Sequence, residues 1–280
     1  MPASLYIVST PIGNLEDITL RALRVLKEVP TIAAEDTRRT ATLLRHFGIQ
    51  TPTTSFHEHN EREKLPLLLA KLAGGHDVAL VSDAGTPAVS DPGYRLIGAA
   101  IREGHRVIAI PGASAVLAAL VSSGFPTDSF VFLGFPPIRS TSRDEWFGAL
   151  AHEPRTAVFF EAPHRILATL KEAAIRLGNR PMAVCRELTK LHEEIRRGQA
   201  AELLGHTTNE RGEFTVVVSP YEEPARQQPP DDSVFLSVFC EMTKDEELSR
   251  RQAIAATARR FGVPVKQVYE AVERAKKVTP

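Results

Sequence analysis

At 280 residues the chain is long enough for two domains, and 43% hydrophobic residues supply the apolar surface for real cores. Its 34 basic and 34 acidic side chains cancel, so any polyanion it binds must be met by a local patch. Cys185 and Cys240 stand far apart with no CxxC or Cys/His spacing, which argues against a disulfide framework or a zinc site and fits a reducing cytoplasm.

The first residues, Met-Pro-Ala-Ser-Leu-Tyr-Ile-Val, lack a basic region and run straight into a strand over 5–8, so no signal peptide is expected. The spacing then predicts a helix over 17–27, a strand over 32–34, a helix running to about Phe47 with Gly48 just past its end, and a short strand over 53–56. A helix over 61–73 closes on Gly74-Gly75, and Val78 to Val81 form an apolar run without helical spacing, as in a strand buried on both faces of a parallel sheet. A helix starting near Pro92 with Asp91 as N-cap leads through Arg102 to a strand over 107–110. Strands alternating with helices imply βαβ units and a parallel sheet.

The uncharged run 107–127 nearly has the length of a membrane span, but Pro111, Gly112, Ser114, Gly124 and Pro126 break it into strand, turn and buried helix over 115–121. Further strands are predicted over 130–133, 156–160, 182–185, 193–197 and 214–218, with helices over 165–177 and 200–206, as in a second α/β domain with a mixed sheet. The segment 222–232, rich in Pro, Glu, Gln and Asp, reads as a linker. Beyond it, helical spacing over 234–242, 248–261 and 265–277 marks a small helical tail. The turn at Gly262-Val263-Pro264 gives the last two helices a helix-turn-helix cadence, and basic residues outnumber acidic ones nine to five in 244–277. Arg259, Arg260 and Lys266 are its candidate nucleic-acid contacts; a basic solvated face is the alternative. The expected organisation is an α/β fold: a first domain over 1–111, a second over 112–222 meeting it across a cleft, and a helical domain over 233–280.

The loop after Val81 stands out. In Ser-Asp-Ala-Gly-Thr-Pro-Ala-Val-Ser-Asp-Pro-Gly over 82–93, about ten residues precede the helix expected near Pro92, where a plain strand-to-helix connection needs two to six. A polar, Gly-rich loop at the carboxyl end of a buried strand is where open α/β sheets bind ligands. There is no GxxxxGK[ST], no GxGxxG after the first strand, no HExxH and no GxSxG, which removes most support for nucleotide hydrolysis, dinucleotide redox and zinc proteolysis.

Five separated segments carry a resemblance: 5–19 with Ser-Thr-Pro-Ile-Gly-Asn, Ala-Ala-Glu-Asp-Thr-Arg at 33–38, Val-Ser-Asp-Ala-Gly-Thr-Pro at 81–87, Ser-Asp-Pro-Gly at 90–93 and Glu-Ala-Pro-His-Arg at 161–165. In that order they resemble the RNA-acting branch of the tetrapyrrole methylase family, over about 1–220. The resemblance implies a cofactor cleft between two α/β domains and a homodimer acting in the cytoplasm, with no membrane. The implied reaction is methyl transfer from S-adenosylmethionine to the ribose 2′-oxygen of a cytidine in the decoding region of 16S rRNA in the small ribosomal subunit. Thr-Pro-Ile-Gly-Asn stands where most of the family has GxGxGD, favouring RNA over porphyrins, and Pro-Gly-Ala-Ser-Ala at 111–115 stands where the branch often has Pro-Gly-Pro-Cys-Ala.

Carried onto this chain, the resemblance puts Pro11 at the floor of the cofactor site. Ala84, Gly85, Thr86 and Val89 would face its amino-acid and ribose portions, Ser114 and Ala115 its other side, and Glu161 and Leu188 its adenosine end. The 2′-hydroxyl must lose a proton, for which a carboxylate in hydrogen-bond reach is the simplest acceptor. Glu35, Asp36 and Asp83, at predicted strand ends, are candidates, with Arg38 beside them; a helix cap or an ion pair is the alternative for each. Arg139, Arg143, His164 and Arg165 are candidate RNA contacts, the first two in a Ser/Thr-rich stretch read as a phosphate-contacting or merely solvated loop. A precorrin-type tetrapyrrole methyltransferase and a non-enzymatic nucleic-acid-binding regulator stand as alternatives.

Overall fold

The computed structural model describes residues 3–206, 211–223, 231–245 and 248–278, so much of the predicted linker lies outside the described residues. The chain divides into two compact units, Met1–Tyr221 and Glu222–Pro280.

The first half of the larger unit runs β1 (Ser4–Val8), α1 (Leu20–Glu28), β2 (Thr31–Ala34), α2 (Thr37–His46), β3 (Thr53–Ser55), α3 (Glu61–Ala73), β4 (Val78–Val81), α4 (Tyr94–Arg102) and β5 (Arg106–Ile110). The strands lie in the order β3-β2-β4-β1-β5, every pair parallel. Alternate residues of each strand serve opposite faces: Leu5, Val78 and Leu80 pack with Leu68, Leu72 and Leu96 of α3 and α4, whereas Val8, Ala79 and Val81 pack with Val25, Leu26 and Leu44 of α1 and α2. A strand covered on both faces has no polar side to alternate with, which is why β4 reads Val-Ala-Leu-Val. From β1 the chain crosses to β2, on the far side of β4, and from β4 it crosses to β5, on the far side of β1. The loops after these two central strands therefore diverge and leave a crevice at their carboxyl ends.

The second half runs α5 (Ala115–Ser123), β6 (Phe130–Phe132), α6 (Ser140–Ala151), β7 (Thr156–Glu161), α7 (Ile166–Arg176), β8 (Pro181–Arg186), β9 (Glu194–Gln199), α8 (Ala200–His206) and β10 (Phe214–Val218). Its sheet, ordered β6-β7-β10-β8-β9, is mixed, with β6 parallel to β7 and the other pairs antiparallel. Phe147, Leu150, Ile166, Leu170 and Leu203 of α6, α7 and α8 cover one face. Helix α5 covers the other, and Ile12 of the first half joins the same apolar cluster as Val116, Leu120 and Leu188.

Three local expectations are corrected. Helix α4 begins at Tyr94 rather than near Pro92, because Gly93 takes φ +131°, outside any helix. The predicted helix over 17–27 is a 3₁₀ turn over Leu15–Asp17 followed by α1, whose N-cap Thr19 accepts the Ala22 N–H. The Ser/Thr-rich stretch around Arg143 is no loop but the start of α6, held by Phe147 and Leu150 in the core.

The smaller unit is α9 (Asp232–Asp245), α10 (Arg250–Phe261) and α11 (Val265–Val278) around Phe235, Phe239, Ile254, Ala258, Val268 and Val272. Gly262, at φ +63°, caps α10 and turns the chain into α11. Among the described residues no helix is long and apolar enough to cross a membrane.

Candidate active site

The loops after β1 and β4 are laced together over the crevice. Thr10 and Gly85 exchange both backbone hydrogen bonds at 2.9 and 3.0 Å, the Ser9 and Thr86 hydroxyls lie 2.8 Å apart, and Thr10 Oγ1 donates to the Ser82 carbonyl at 3.2 Å. Past this lacing the chain turns left-handed at Gly85, Ala88, Ser90 and Gly93. At Ala88 and Ser90 that conformation costs on the order of 1–2 kcal/mol each, and such strain persists only where the surroundings over-determine it. A Cβ on Gly93 would stand 2.7 Å from Leu80 Cδ2, so this loop is pressed onto the core. From the second half, Thr189 Oγ1 accepts the Asn14 N–H at 3.1 Å, and a Cβ on Gly13 would collide with the Lys190 side chain and stand 3.0 Å from the Leu188 carbonyl oxygen. Glycine at 13 is what lets the two halves close together.

They enclose a cavity of about 600 Å³. Of the residues the resemblance assigned to the cofactor, Ala84, Thr86, Val89, Ser114, Ala115 and Glu161 line it. Pro11, Gly85 and Leu188 are not among its lining residues. Pro11 is buried before Ile12, which lines the cavity, Gly85 is spent on Thr10, and Leu188 is buried in the cluster containing Ile12 and Ala84. Ser114 accepts the Leu117 N–H and so starts α5 at the cavity wall. Glu161, 2% exposed, is satisfied internally: Oε1 accepts the Ala162 N–H, Oε2 accepts the Thr169 hydroxyl, and Arg165 lies 3.3 Å away.

The acidic residues at the strand ends form a chain of contacts. Asp83 accepts the Asp36 N–H at 3.0 Å and Glu35 accepts the Asp83 N–H at 3.2 Å. Burial raises the Glu35 carboxyl above its ordinary value, the hydrogen bond from Asp83 opposes that, and the Asp83 charge adds to it. Asp36 is the N-cap of α2, accepts the Arg38 N–H at 2.8 Å and grips the Arg38 guanidinium, which holds its carboxyl well below the usual range. That makes Asp36 a cap and a poor proton acceptor, and it makes Arg38, with a side chain 90% exposed, its surface partner. None of Glu35, Asp36, Arg38 and Asp83 lines the cavity; the neighbouring carboxylate that does is Asp91. Burial raises its carboxyl to about 6, the Ser82 hydroxyl opposes the rise, and Glu35 and Asp83 reinforce it. In the sequence Asp91 reads only as a helix cap; its place in a long, polar, glycine-bounded loop is the signal for more.

Two arginines of the second half, Arg143 and Arg165, are turned inward. Arg143 binds Glu172 at 2.7 Å, Thr169 Oγ1 at 2.7 Å and the Pro137 carbonyl at 3.2 Å; Arg165 binds the Pro136 carbonyl at 2.6 Å and Glu161. Their hydrogen-bonding forks are occupied inside the fold, so they are not free to hold phosphate. Arg139, ahead of α6, and His164, in the turn over Pro163–Arg165, are exposed. In the helical unit Arg259, Arg260 and Lys266 are exposed, with Arg260 3.8 Å from Glu241 and Lys266 3.9 Å from Glu270. Phe132, Phe135 and Phe160, which no sequence pattern singles out from ordinary strand and core residues, form an aromatic wall of the cavity.

Two α/β halves closing on a cavity at the carboxyl ends of a parallel sheet define a class. The chain belongs to the tetrapyrrole (corrin/porphyrin) methylase family, whose model matches residues 4–204. It is similar to the ribosomal RNA small subunit methyltransferase I of Halalkalibacterium halodurans, 43% identical over 95% of this chain and 93% of that one. The protein of the same name from Thermotoga maritima is 47% identical over 78% of this chain and 99% of its own length, so the rest of this chain has no counterpart there. Among solved structures, uroporphyrin-III C-methyltransferase from Thermus thermophilus, complexed with S-adenosylhomocysteine, shares the fold at TM-score 0.55 and 22% identity, over 78% of this chain and 97% of that one.

Proposed function

We propose that the protein transfers a methyl group from S-adenosylmethionine to the ribose 2′-oxygen of a cytidine in 16S rRNA of the small ribosomal subunit. The observation that carries the chemistry is the charge of the cavity wall: among the described residues that line it there is no lysine or arginine, while Asp91 is present, and Glu161 and Glu213 stand there too, paired with Arg165 at 3.3 Å and Lys190 at 3.0 Å. S-adenosylmethionine is a sulfonium, and it supplies an electrophilic methyl group that leaves as the positive charge is lost. A cavity with carboxylates and without fixed cations suits such a cofactor. Small side chains at Ala84, Ser114 and Ala115 leave it room, and a Cβ on Gly112 would stand 2.9 Å from the Ser9 Cβ, so the neighbouring backbones pack as closely as glycine permits.

Within this reading Asp91 accepts the 2′-hydroxyl proton. An acceptor whose affinity for the proton lies near the working pH is more effective than an ordinary, more acidic carboxylate. Burial sets that affinity, and Glu35 and Asp83 add to it from behind. Backbone and hydroxyl groups of the laced loops position the cofactor, and rigid positioning of the reacting atoms supplies much of the acceleration. The exposed cations Arg139, Arg259, Arg260 and Lys266 contact RNA phosphate, with the helical unit as an accessory grip. The reading includes a homodimer working in the cytoplasm.

Methyl transfer from labelled S-adenosylmethionine into small subunits lacking the modification, followed by nuclease digestion, tests this directly. Label in 2′-O-methylcytidine is the expected result. The aromatic wall would also suit a flat macrocycle, so absence of label in RNA together with porphyrin-like absorbance of the purified protein would favour a tetrapyrrole substrate.

A further inference from the structure

The second half commits part-buried polar groups to a short loop that lines the cavity. After β6, Leu133 and Gly134 continue the pairing with β7 (Leu133 N to the Val158 carbonyl 2.9 Å, Phe160 N to the Gly134 carbonyl 2.8 Å). Arg165 and Arg143 then hold the carbonyls of Pro136 and Pro137, and Glu161, Thr169 and Glu172 hold the arginines. Proline at both positions and a buried Pro136 stiffen the turn further.

Phe135, just ahead of the two prolines, is 51% exposed while lining the cavity. Its ring leans on Phe160 at 5.5 Å between centroids, tilted by 58°, an arrangement that supports one part of the ring and leaves the rest open. The loop faces the other wall closely: Ser90 Oγ lies 3.9 Å from where a Cβ on Gly134 would stand, so the Phe135 turn and the Ser90-Asp91 turn meet at one mouth. Packing does not account for an aromatic ring fixed there.

We propose that Phe135 is a stacking platform that receives the target nucleobase at the mouth of the cavity and so presents its ribose to the Asp91 wall. This rests on the RNA reading above. A stacked helix displays its 2′-hydroxyls in a shallow minor groove but is too wide to enter a recessed cavity, so a nucleotide that reacts inside one is splayed out, and an unstacked base is received on an aromatic face. The loop's rigidity then has a use, since a platform fixed beforehand loses little freedom on binding. Arg143 and Arg165 act as positioning residues for it.

The test compares wild type, Phe135→Leu and Phe135→Trp by steady-state methylation of small subunits lacking the modification, with S-adenosylmethionine binding measured separately by calorimetry. Phe135→Leu is expected to lower kcat/KM for subunits by about ten- to a hundredfold, the size of one lost base–aromatic stack, chiefly through KM, with cofactor affinity and melting temperature unchanged. Phe135→Trp is expected to restore most of the loss, because it restores a π face. Equal activity of the leucine variant, or a matching loss of cofactor affinity, would overturn the proposal while leaving the RNA reading intact. Wild type that labels no RNA would overturn both.

Discussion

The two walls of the cavity are built in opposite ways. The wall from the parallel sheet is polar and strained: left-handed backbone at Ala88 and Ser90, a carboxylate at Asp91, and Glu35 and Asp83 behind it. The wall from the mixed sheet is aromatic and braced, with Phe132, Phe135 and Phe160 in front, its carboxylates Glu161 and Glu213 paired with Arg165 and Lys190, and Arg143 and Arg165 tied down behind. A carboxylate set among others has a proton affinity to offer, and an aromatic surface has a shape. The first wall therefore has the means to change a proton's position and the second to choose what is held there.

The largest test of that division is Asp91→Asn. It should lower kcat by about 10²–10⁴-fold, the usual contribution of a positioned acid or base, with little change in cofactor affinity. For wild type kcat should rise with pH through about 6, as Asp91 loses its proton, and the asparagine variant should lose that limb. Stability should show the reverse slope. The folded-state value near 6 lies above the ordinary 3.8, so the folded chain holds the proton more tightly, and stability should fall as pH rises from about 4 to 6. A pH–rate profile unchanged in Asp91→Asn would move the base to another group and leave the polar wall structural.

Next in size are substitutions that loosen one wall and spare the other. Gly93→Ala places a methyl on a residue at φ +131° and 2.7 Å from Leu80 Cδ2, and should cost about 1–3 kcal/mol in unfolding free energy. Arg143→Met leaves Glu172 without its partner, takes one of two from Thr169, whose hydroxyl keeps Glu161, and should cost a similar amount, about 1–3 kcal/mol, measured by denaturant unfolding. Their activities should separate: the glycine variant should lose cofactor affinity, because its loop carries Thr86 and Val89, and the arginine variant should lose affinity for subunits. Identical losses in both would mean that the walls act as one.

Much of the polar wall is legible in the sequence and little of the aromatic one. Val78–Val81 followed by a long Gly- and Asp-rich loop announces a strand end that binds, because few other uses put glycine, proline and carboxylates together after a buried strand. Asp91 is visible there, but its neighbour Pro92 mimics a helix start, and only the φ of Gly93 shows that the helix waits until Tyr94. Phe132 and Phe160 lie in strands where apolar residues are expected anyway, so sequence spacing does not distinguish a cavity wall from a core. Arg143 and Arg165 are visible as cations but not as inward-turned ones. Thr169 and Glu172 lie 26 and 29 residues from Arg143, and no local pattern links them.

The smallest expected effect sharpens the comparison from its outer edge. Arg38→Ala removes a guanidinium that, though placed beside the acidic strand ends, is exposed and engaged with Asp36. Asp36 would still cap α2 through the Arg38 backbone N–H, which the substitution keeps. Exposed ion pairs contribute little, so melting temperature should hold and kcat should stay within about twofold of wild type. What should change is the titration of Asp36, whose carboxyl, freed of its partner, should move up toward the ordinary range, a shift visible by NMR. A large loss of kcat instead would give the rim a part in transition-state charge that the separation of Arg38 from the cavity lining argues against, and the polar wall would then extend beyond Asp91 to the surface of α2.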